Sequence, residues 1–157
     1  MDARLASTQT IVVIDAGQAG GWAARTLRSE GYGGRIVLVG AEAAPPYERP
    51  PLSKDQLQAH AADMAYLMTP AELAGQDIDW LAATACVSID RANTSVVLAD
   101  GQAIRYDKLI LCTGGHPRLP DLPGIDGRHV HTLRTVDDAQ RLRAALISEP
   151  RVLVIGG

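Results

Sequence analysis

The chain has 157 residues, no phenylalanine and only two cysteines, and none of its apolar stretches approaches the ~18–20 residues needed to cross a bilayer. Without phenylalanine, a core has to be built from valine, isoleucine, leucine and alanine. Cys86 and Cys112 stand far apart, each in an apolar run of strand type, which excludes a CxxC redox pair or a metal-binding spacing and leaves both as small buried hydrophobes. Met1–Thr10 lacks the basic start and apolar middle of a signal peptide, so the default location is the cytoplasm. Long runs of lysine and arginine are missing too, and the formal net charge is −3. Neither nucleic acid nor an anionic membrane is therefore expected as a partner. The remaining balance, 46% apolar and 21% charged, is ordinary for a folded domain.

What is present is a pattern of alternating strand and helix. Thr10–Ile14 is a short β-branched run, as expected of a parallel strand buried on both faces. A glycine turn follows, then a predicted helix over Gly21–Glu30 with Trp22, Ala23 and Leu27 on one face, stopped by Gly31, Gly33 and Gly34. Arg35–Val39 is a second buried strand. Thr69-Pro70-Ala71-Glu72 carries an N-cap, a proline at the first helical position and a capping glutamate. Shorter strand-like pieces at Ile78–Leu81, Ala85–Ile89, Ser95–Leu98 and Ile104–Tyr106, separated by turn residues, read as an antiparallel meander inserted into the βαβ scheme. Lys108–Cys112 returns to the buried parallel type, Thr135–Asp138 can cap a helix to about Ile147, and Arg151–Ile155 reads as one more buried strand.

The glycine turn, Asp15-Ala16-Gly17-Gln18-Ala19-Gly20, is a dinucleotide fingerprint with one defect. In G-x-G-x-x-G the first glycine makes the tight turn, the second lets backbone approach a diphosphate, and the third packs helix on strand. Gly17 and Gly20 fill the second and third positions, but the first is Asp15. Aspartate tolerates left-handed backbone at a cost of ~1 kcal/mol. Its charge, ~5 Å from a diphosphate, costs roughly 1–3 kcal/mol, or about 5- to 150-fold in affinity. After the second strand, Val39-Gly40-Ala41-Glu42 sets an acid where a ribose diol would lie.

Residues 45–54, Pro-Pro-Tyr-Glu-Arg-Pro-Pro-Leu-Ser-Lys, then form a stiff arm, because four prolines fix φ and remove backbone donors. Such an arm, about 25 residues beyond the turn, suits Arg49 and Lys54 to a bound dinucleotide. The run from Val39 through Lys54, the string Leu111-Cys112-Thr113-Gly114-Gly115-His116-Pro117-Arg118 and the string His131-Thr132-Leu133-Arg134-Thr135-Val136-Asp137-Asp138-Ala139 together resemble the FAD- and NAD(P)H-dependent ferredoxin reductases that serve oxygenases. These are the putidaredoxin, rubredoxin and aromatic-ring dioxygenase reductases, with apoptosis-inducing factor as a relative.

The resemblance implies an α/β fold, a Rossmann-like FAD-binding domain with a parallel sheet and an inserted antiparallel β-meander. It also implies roles. Gly17, Gln18 and Ala19 would present backbone N–H groups to the FAD diphosphate, and Glu42, or the backbone beside it, would hold the adenosine ribose. In relatives that acid also occurs one residue earlier, where this chain has Ala41. Arg49 would lie along the phosphates, Lys54 near the flavin ring, Cys86 beside adenine through its backbone only, Thr113 and Gly114 close to the cofactor, and Arg134 on its far side. The implied reaction is hydride transfer from NAD(P)H to FAD, then single-electron steps to a ferredoxin-type iron–sulfur protein.

Arg151–Gly156 repeats the opening of the first fingerprint. On that ground residues 1–150 are read as the N-terminal part of an FAD-binding domain and 151–157 as the first strand of a truncated NAD(P)-binding domain. Catalysis by this stretch alone is not expected, and no catalytic or metal-binding residue is assigned. With few segments to cover both faces of the parallel strands, exposed apolar surface is expected. A simple nucleotide-binding Rossmann module, a truncated non-catalytic remnant, and an interaction module using Arg49-Pro50-Pro51-Leu52 as a polyproline ligand remain as alternatives.

Overall fold

In the computed structural model, which describes residues 8–58, 60, 63–125, 127, 129–148 and 151–155, the β-branched run Thr10–Ile14 forms strand β1 at the interior of a parallel sheet. Helix α1 (Gln18–Ser29) and strand β2 (Arg35–Val39) complete the first βαβ unit. Helix α2 (Pro70–Gly75) leads into β3 (Ile78–Leu81), which pairs parallel with β2 in the register Ile36↔Ile78 to Val39↔Leu81. Strands β4 (Cys86–Asp90), β5 (Ser95–Leu98) and β6 (Ala103–Arg105) form a separate antiparallel sheet. The chain then returns as β7 (Lys108–Leu111), parallel to β1 on the side away from β2. The parallel sheet has the order β3-β2-β1-β7.

Ile78–Leu81 therefore belongs to the parallel sheet, and the meander holds three strands instead of four. The reason is the crossover: a strand that follows a helix can join its predecessor in parallel, whereas an antiparallel partner needs only a tight turn. The helix is secured at its start, where Thr69 Oγ1 accepts from the Glu72 N–H and the Glu72 carboxylate accepts from the Thr69 N–H.

Helix α1 begins at Gln18, one turn earlier than expected. Its buried side is Gly20, Gly21 and Ala24, small residues that let the helix lie close to the sheet. Trp22 is displaced from that face and 47% exposed, with the Arg25 guanidinium 5.3 Å from its ring centre. The end of the helix follows the glycine signal: Gly31 takes φ +81°, its N–H reaches the Arg28 carbonyl, and Tyr32 N–H reaches Leu27. Arg28 itself donates to the carbonyls of Tyr32, Gly34, Gln76 and Asp77, tying α1 to the start of β2 and to the α2–β3 turn.

Both faces of β1 and β2 are covered. Val13, Ile11, Ile36 and Leu38 pack with Ala24, Tyr32, Met68 and Leu73 on the helical side. Val12, Ile14, Val37 and Val39 pack with Val96, Leu98 and Ile104 of the meander on the other. The shortage of cover expected from the sequence is thus corrected at the sheet centre, because the meander supplies a second layer. Trp80 of β3 joins the helical side, its Nε1 buried and without an acceptor among the described residues. The expectation does hold at β7, an edge strand with Leu111 57% exposed, so Lys108–Cys112 is not buried on both faces.

The chain divides into two units: Met1–Tyr47 with Tyr66–Gly114, which holds everything above, and Glu48–Ala65 with Gly115–Gly157. In the second unit two 3₁₀ turns, Pro50–Ser53 and Asp55–Leu57, pack against helix α3 (Val136–Ser148) with Leu52 and Ala139 buried. Part of the expected stiff arm is therefore wound as 3₁₀ turns, which proline permits at a first turn. Thr135 caps α3: its hydroxyl accepts from the Asp138 N–H, and the Asp138 carboxylate accepts from the N–H groups of Thr135 and Arg134. Arg151–Ile155 pairs with no described strand, and Leu153 is 84% exposed. The buried strand expected there is not formed, since backbone groups make a strand only when a neighbour takes their hydrogen bonds. Gly156 lies outside the described residues.

Candidate functional site

The parallel sheet reverses its winding direction at β1: the chain goes to β2 on one side and arrives at β7 on the other. Crevices that bind ligands in open α/β sheets lie beyond the carboxyl ends of the strands at such a point. The segments that leave those ends here are Asp15–Gly17 after β1, Gly40–Glu42 after β2 and Cys112–Gly114 after β7. Most residues assigned from the sequence to the adenosine diphosphate end thus arise along one edge of the first unit.

The turn after β1 keeps the geometry of the fingerprint despite its aspartate. Asp15 adopts φ +78°, the conformation a glycine would supply, and its N–H is held by the Val39 carbonyl at 2.9 Å. Gly20 cannot carry a side chain, because a Cβ would lie 1.9 Å from the Asp15 carbonyl oxygen. Gly40 is constrained likewise by the Ala16 Cβ at 2.6 Å. Gly17 is the N-cap of α1, with no side-chain cap and no acidic residue in the first turn, and Gln18 and Ala19 are exposed. The first N–H groups of a helix have no intrahelical partners, and the aligned peptide dipoles favour an anion there. This cradle, closed by glycines where a Cβ would clash, fits a dinucleotide diphosphate. The Asp15 charge opposes it.

Glu42 is half-buried, and its carboxylate accepts from the Tyr47 hydroxyl at 2.5 Å. Its carbonyl accepts from the Ala83 N–H, and the neighbouring Gly40 carbonyl accepts from the Thr84 N–H. The β2–arm loop is thereby laced to the β3–β4 connection that precedes Cys86. The Cys86 side chain packs toward the meander cluster, and burial pushes its thiol pKa up. Burial, followed by the Asp15 charge, raises the Cys112 thiol in the same way. Both cysteines are free. Thr113 and Gly114 are exposed, Gly114 with φ +60°.

In the second unit Arg49 and Arg134 come together, as the Arg49 guanidinium donates to the Arg134 carbonyl. With Leu52, Ser53 and Leu133 they line a cavity of about 110 Å³. Lys54 is exposed at the junction of the two 3₁₀ turns. Sequence reasoning missed Tyr47, Arg28 and Gly21. Tyr47 stood in the proline arm as one letter of a string, and its signal was an aromatic residue following two prolines, five residues after Glu42. Gly21 gave none, because its partner Pro46 lies far along the chain, and Arg28 gave none, because a long basic side chain near a helix end carries no mark of which carbonyls it gathers, near (Tyr32, Gly34) or far (Gln76, Asp77).

Residues 9–157 match the family described as pyridine nucleotide-disulphide oxidoreductase. The chain belongs to that family. It is 42% identical over 149 residues to the ferredoxin–NAD(+) reductase component of the 3-phenylpropionate/cinnamic acid dioxygenase of Photorhabdus laumondii, covering 95% of this chain and 38% of that protein. Identity to putidaredoxin reductase of Pseudomonas putida is 41% over 155 residues, covering 96% and 37%. Among solved structures, the covalent putidaredoxin reductase–putidaredoxin complex matches at TM-score 0.79 and 40% identity, covering 88% of this chain and 34% of that one. The resemblance to ferredoxin reductases and the Rossmann-like FAD-domain architecture are both borne out by these relatives. The chain spans little more than a third of their length. No described helix is long and apolar enough to cross a membrane.

Proposed function

We propose that this chain is the FAD-holding part of a cytoplasmic NAD(P)H-dependent ferredoxin reductase that supplies electrons to an oxygenase through a ferredoxin-type iron–sulfur protein. The observation that carries the reading is the cradle after β1: Asp15 in the left-handed turn, Gly20 against its carbonyl, and the uncapped start of α1. The names of the relatives support the electron-transfer role. FAD, when bound, supplies the acceptor for a hydride and the donor of single electrons. The chain's residues bind and orient it. Gln18 and Ala19, with Gly17, offer N–H groups to the diphosphate, Glu42 accepts from the adenosine ribose, and the backbones of Cys86, Thr113 and Gly114 border the nucleotide. Arg49 is assigned to the phosphates, Arg134 to the far side of the cofactor, and Lys54 is the cation assigned to the flavin end, where it offsets the charge that reduction adds. Residues 151–157 are assigned to the opening of an NAD(P)-binding domain, and 1–150 to the FAD domain.

Calorimetric titration of the chain with FAD, ADP and FMN tests this. Saturable binding of FAD and ADP without FMN is expected. Uptake of FMN, or no uptake of FAD, overturns the assignment of the adenosine diphosphate end to the first unit. A second reading, a nucleotide-binding module without reductase activity, is favoured by Asp15. It predicts ADP binding as tight as FAD binding, because the flavin end would then add nothing.

A further inference from the structure

Tyr47 sits in the proline arm 2% exposed, and its hydroxyl donates to Glu42 Oε2 at 2.5 Å. Three contacts hold the tyrosine from behind. Pro46 is seated on Gly21 of α1, where a Cβ would come within 2.5 Å of the Pro46 Cβ. The Pro46 carbonyl accepts from the Leu67 N–H at 2.8 Å, and Tyr47 forms a β-bridge with Tyr66. On the other side the Glu42 main chain is fixed by the Ala83 N–H. A half-buried glutamate on a loop has three side-chain torsions to choose from. One strong donor on a buried ring restricts that freedom, and a carboxylate can accept more than one hydrogen bond.

We propose that Tyr47 is a positioning residue: it fixes the Glu42 carboxylate in the orientation that accepts from the 2′,3′-diol of a ribose, so the site selects nucleotides with an unmodified ribose. The ordering of Glu42 is completed before ligand arrives, which lowers the entropy lost on binding. The proposal rests on the reading of Glu42 as the ribose acid, and its test separates the two. The glycine that admits Pro46 into contact with α1 thereby acts on ribose recognition through two further residues.

The experiment is calorimetric titration of the chain and of Tyr47→Phe, Glu42→Gln and the double variant, each with ADP and with 2′-deoxy-ADP. Phenylalanine keeps the buried ring and removes only the hydroxyl, and melting temperatures confirm that each variant is folded. Tyr47→Phe is expected to weaken ADP about 5-fold, the loss of one hydrogen bond of ~1 kcal/mol, and to leave 2′-deoxy-ADP nearly unchanged. In the Glu42→Gln background the same change should add less than 2-fold. Equal losses for both nucleotides, an additive double variant, or a silent Tyr47→Phe beside an effective Glu42→Gln overturn the role of Tyr47 alone. A silent Glu42→Gln in a chain that binds ADP overturns the ribose assignment, and with it this proposal. Absence of ADP binding by the unaltered chain overturns the nucleotide site altogether.

Discussion

Thr-Ile-Val-Val-Ile at 10–14 and Arg-Val-Leu-Val-Ile at 151–155 are nearly the same sentence written twice, and the structure treats them in opposite ways. In the first, Val12 and Val13 are 0% exposed between parallel neighbours, with a helix on one face and the meander on the other. In the second, Val154 is 78% exposed and no described strand pairs with it. An apolar β-branched run sets the capacity to be a buried strand. Its neighbours decide whether that capacity is used, because burial of apolar area and pairing of backbone groups are both supplied from outside the run.

The comparison is tested most strongly by truncating each copy. Ile11→Ala is expected to cost about 2–5 kcal/mol, as removal of a core side chain does, whereas Ile155→Ala should stay within about 0.5 kcal/mol. Urea unfolding of both variants measures this, and equal costs would erase the distinction between the two runs. The next effect concerns what keeps the first copy's neighbours in place. Arg28→Met leaves four backbone carbonyls without their donor and is expected to cost about 2–4 kcal/mol. An unchanged unfolding midpoint would show that water replaces the guanidinium at no loss.

A third substitution sharpens the difference at the end of the run, where the first copy continues into Asp15 and the second into Gly156. Asp15→Gly retains the turn and removes the charge, so FAD affinity is expected to rise about 5- to 150-fold, or ~1–3 kcal/mol. Titration at low and moderate salt checks it, and equal affinities would mean that the carboxylate faces away from the phosphates. The smallest effect lies at α3. Burial pushes the Asp138 carboxyl up, but the N–H and hydroxyl of Thr135, the Arg141 guanidinium and the Arg134 N–H outweigh it, and its pKa is lowered. A depressed value in the folded state means that its charge stabilises the fold above the ordinary carboxylate range and ceases to do so as pH falls below about 4. Asp138→Asn should cost about 1 kcal/mol at neutral pH and flatten the acid limb of the stability profile. A parallel acid limb in both proteins would remove Asp138 from that linkage.

The sequence made legible those features whose cause is local. The Thr69–Glu72 box, the stop at Gly31 and the cap at Thr135 depend on residues within one turn of each other, and each is found where its letters stand. So was the left-handed Asp15, because a fingerprint defines the backbone at that position. Illegible were the features fixed by partners far along the chain. That Ile78–Leu81 pairs with β2 follows from a crossover helix, and that the meander covers the second face of β1 follows from packing. Arg28 joins the nearby carbonyls of Tyr32 and Gly34 to the distant ones of Gln76 and Asp77, and the distant pair has no mark in the linear pattern. Among the proposed site residues, Gly17 and Glu42 were suggested by spacing, and Gln18, Ala19, Thr113 and Gly114 by the family resemblance. The bond from Tyr47 to Glu42 needed the fold of the intervening loop.

The two tryptophans lie in contrasting surroundings, and with no phenylalanine and few tyrosines beside them their emission can be resolved by quenching. Trp22 stands half in solvent under the Arg25 guanidinium, so iodide should be drawn to it and caesium turned away. Trp80, with its indole nitrogen shut from solvent, should emit at shorter wavelength and resist both ions. Trp22 lies in α1, the helix that follows the glycine turn after β1, and Trp80 in the outer strand of the sheet. The iodide-sensitive fraction of the fluorescence therefore reports on the exposed surface of α1, read against an internal reference in the same chain.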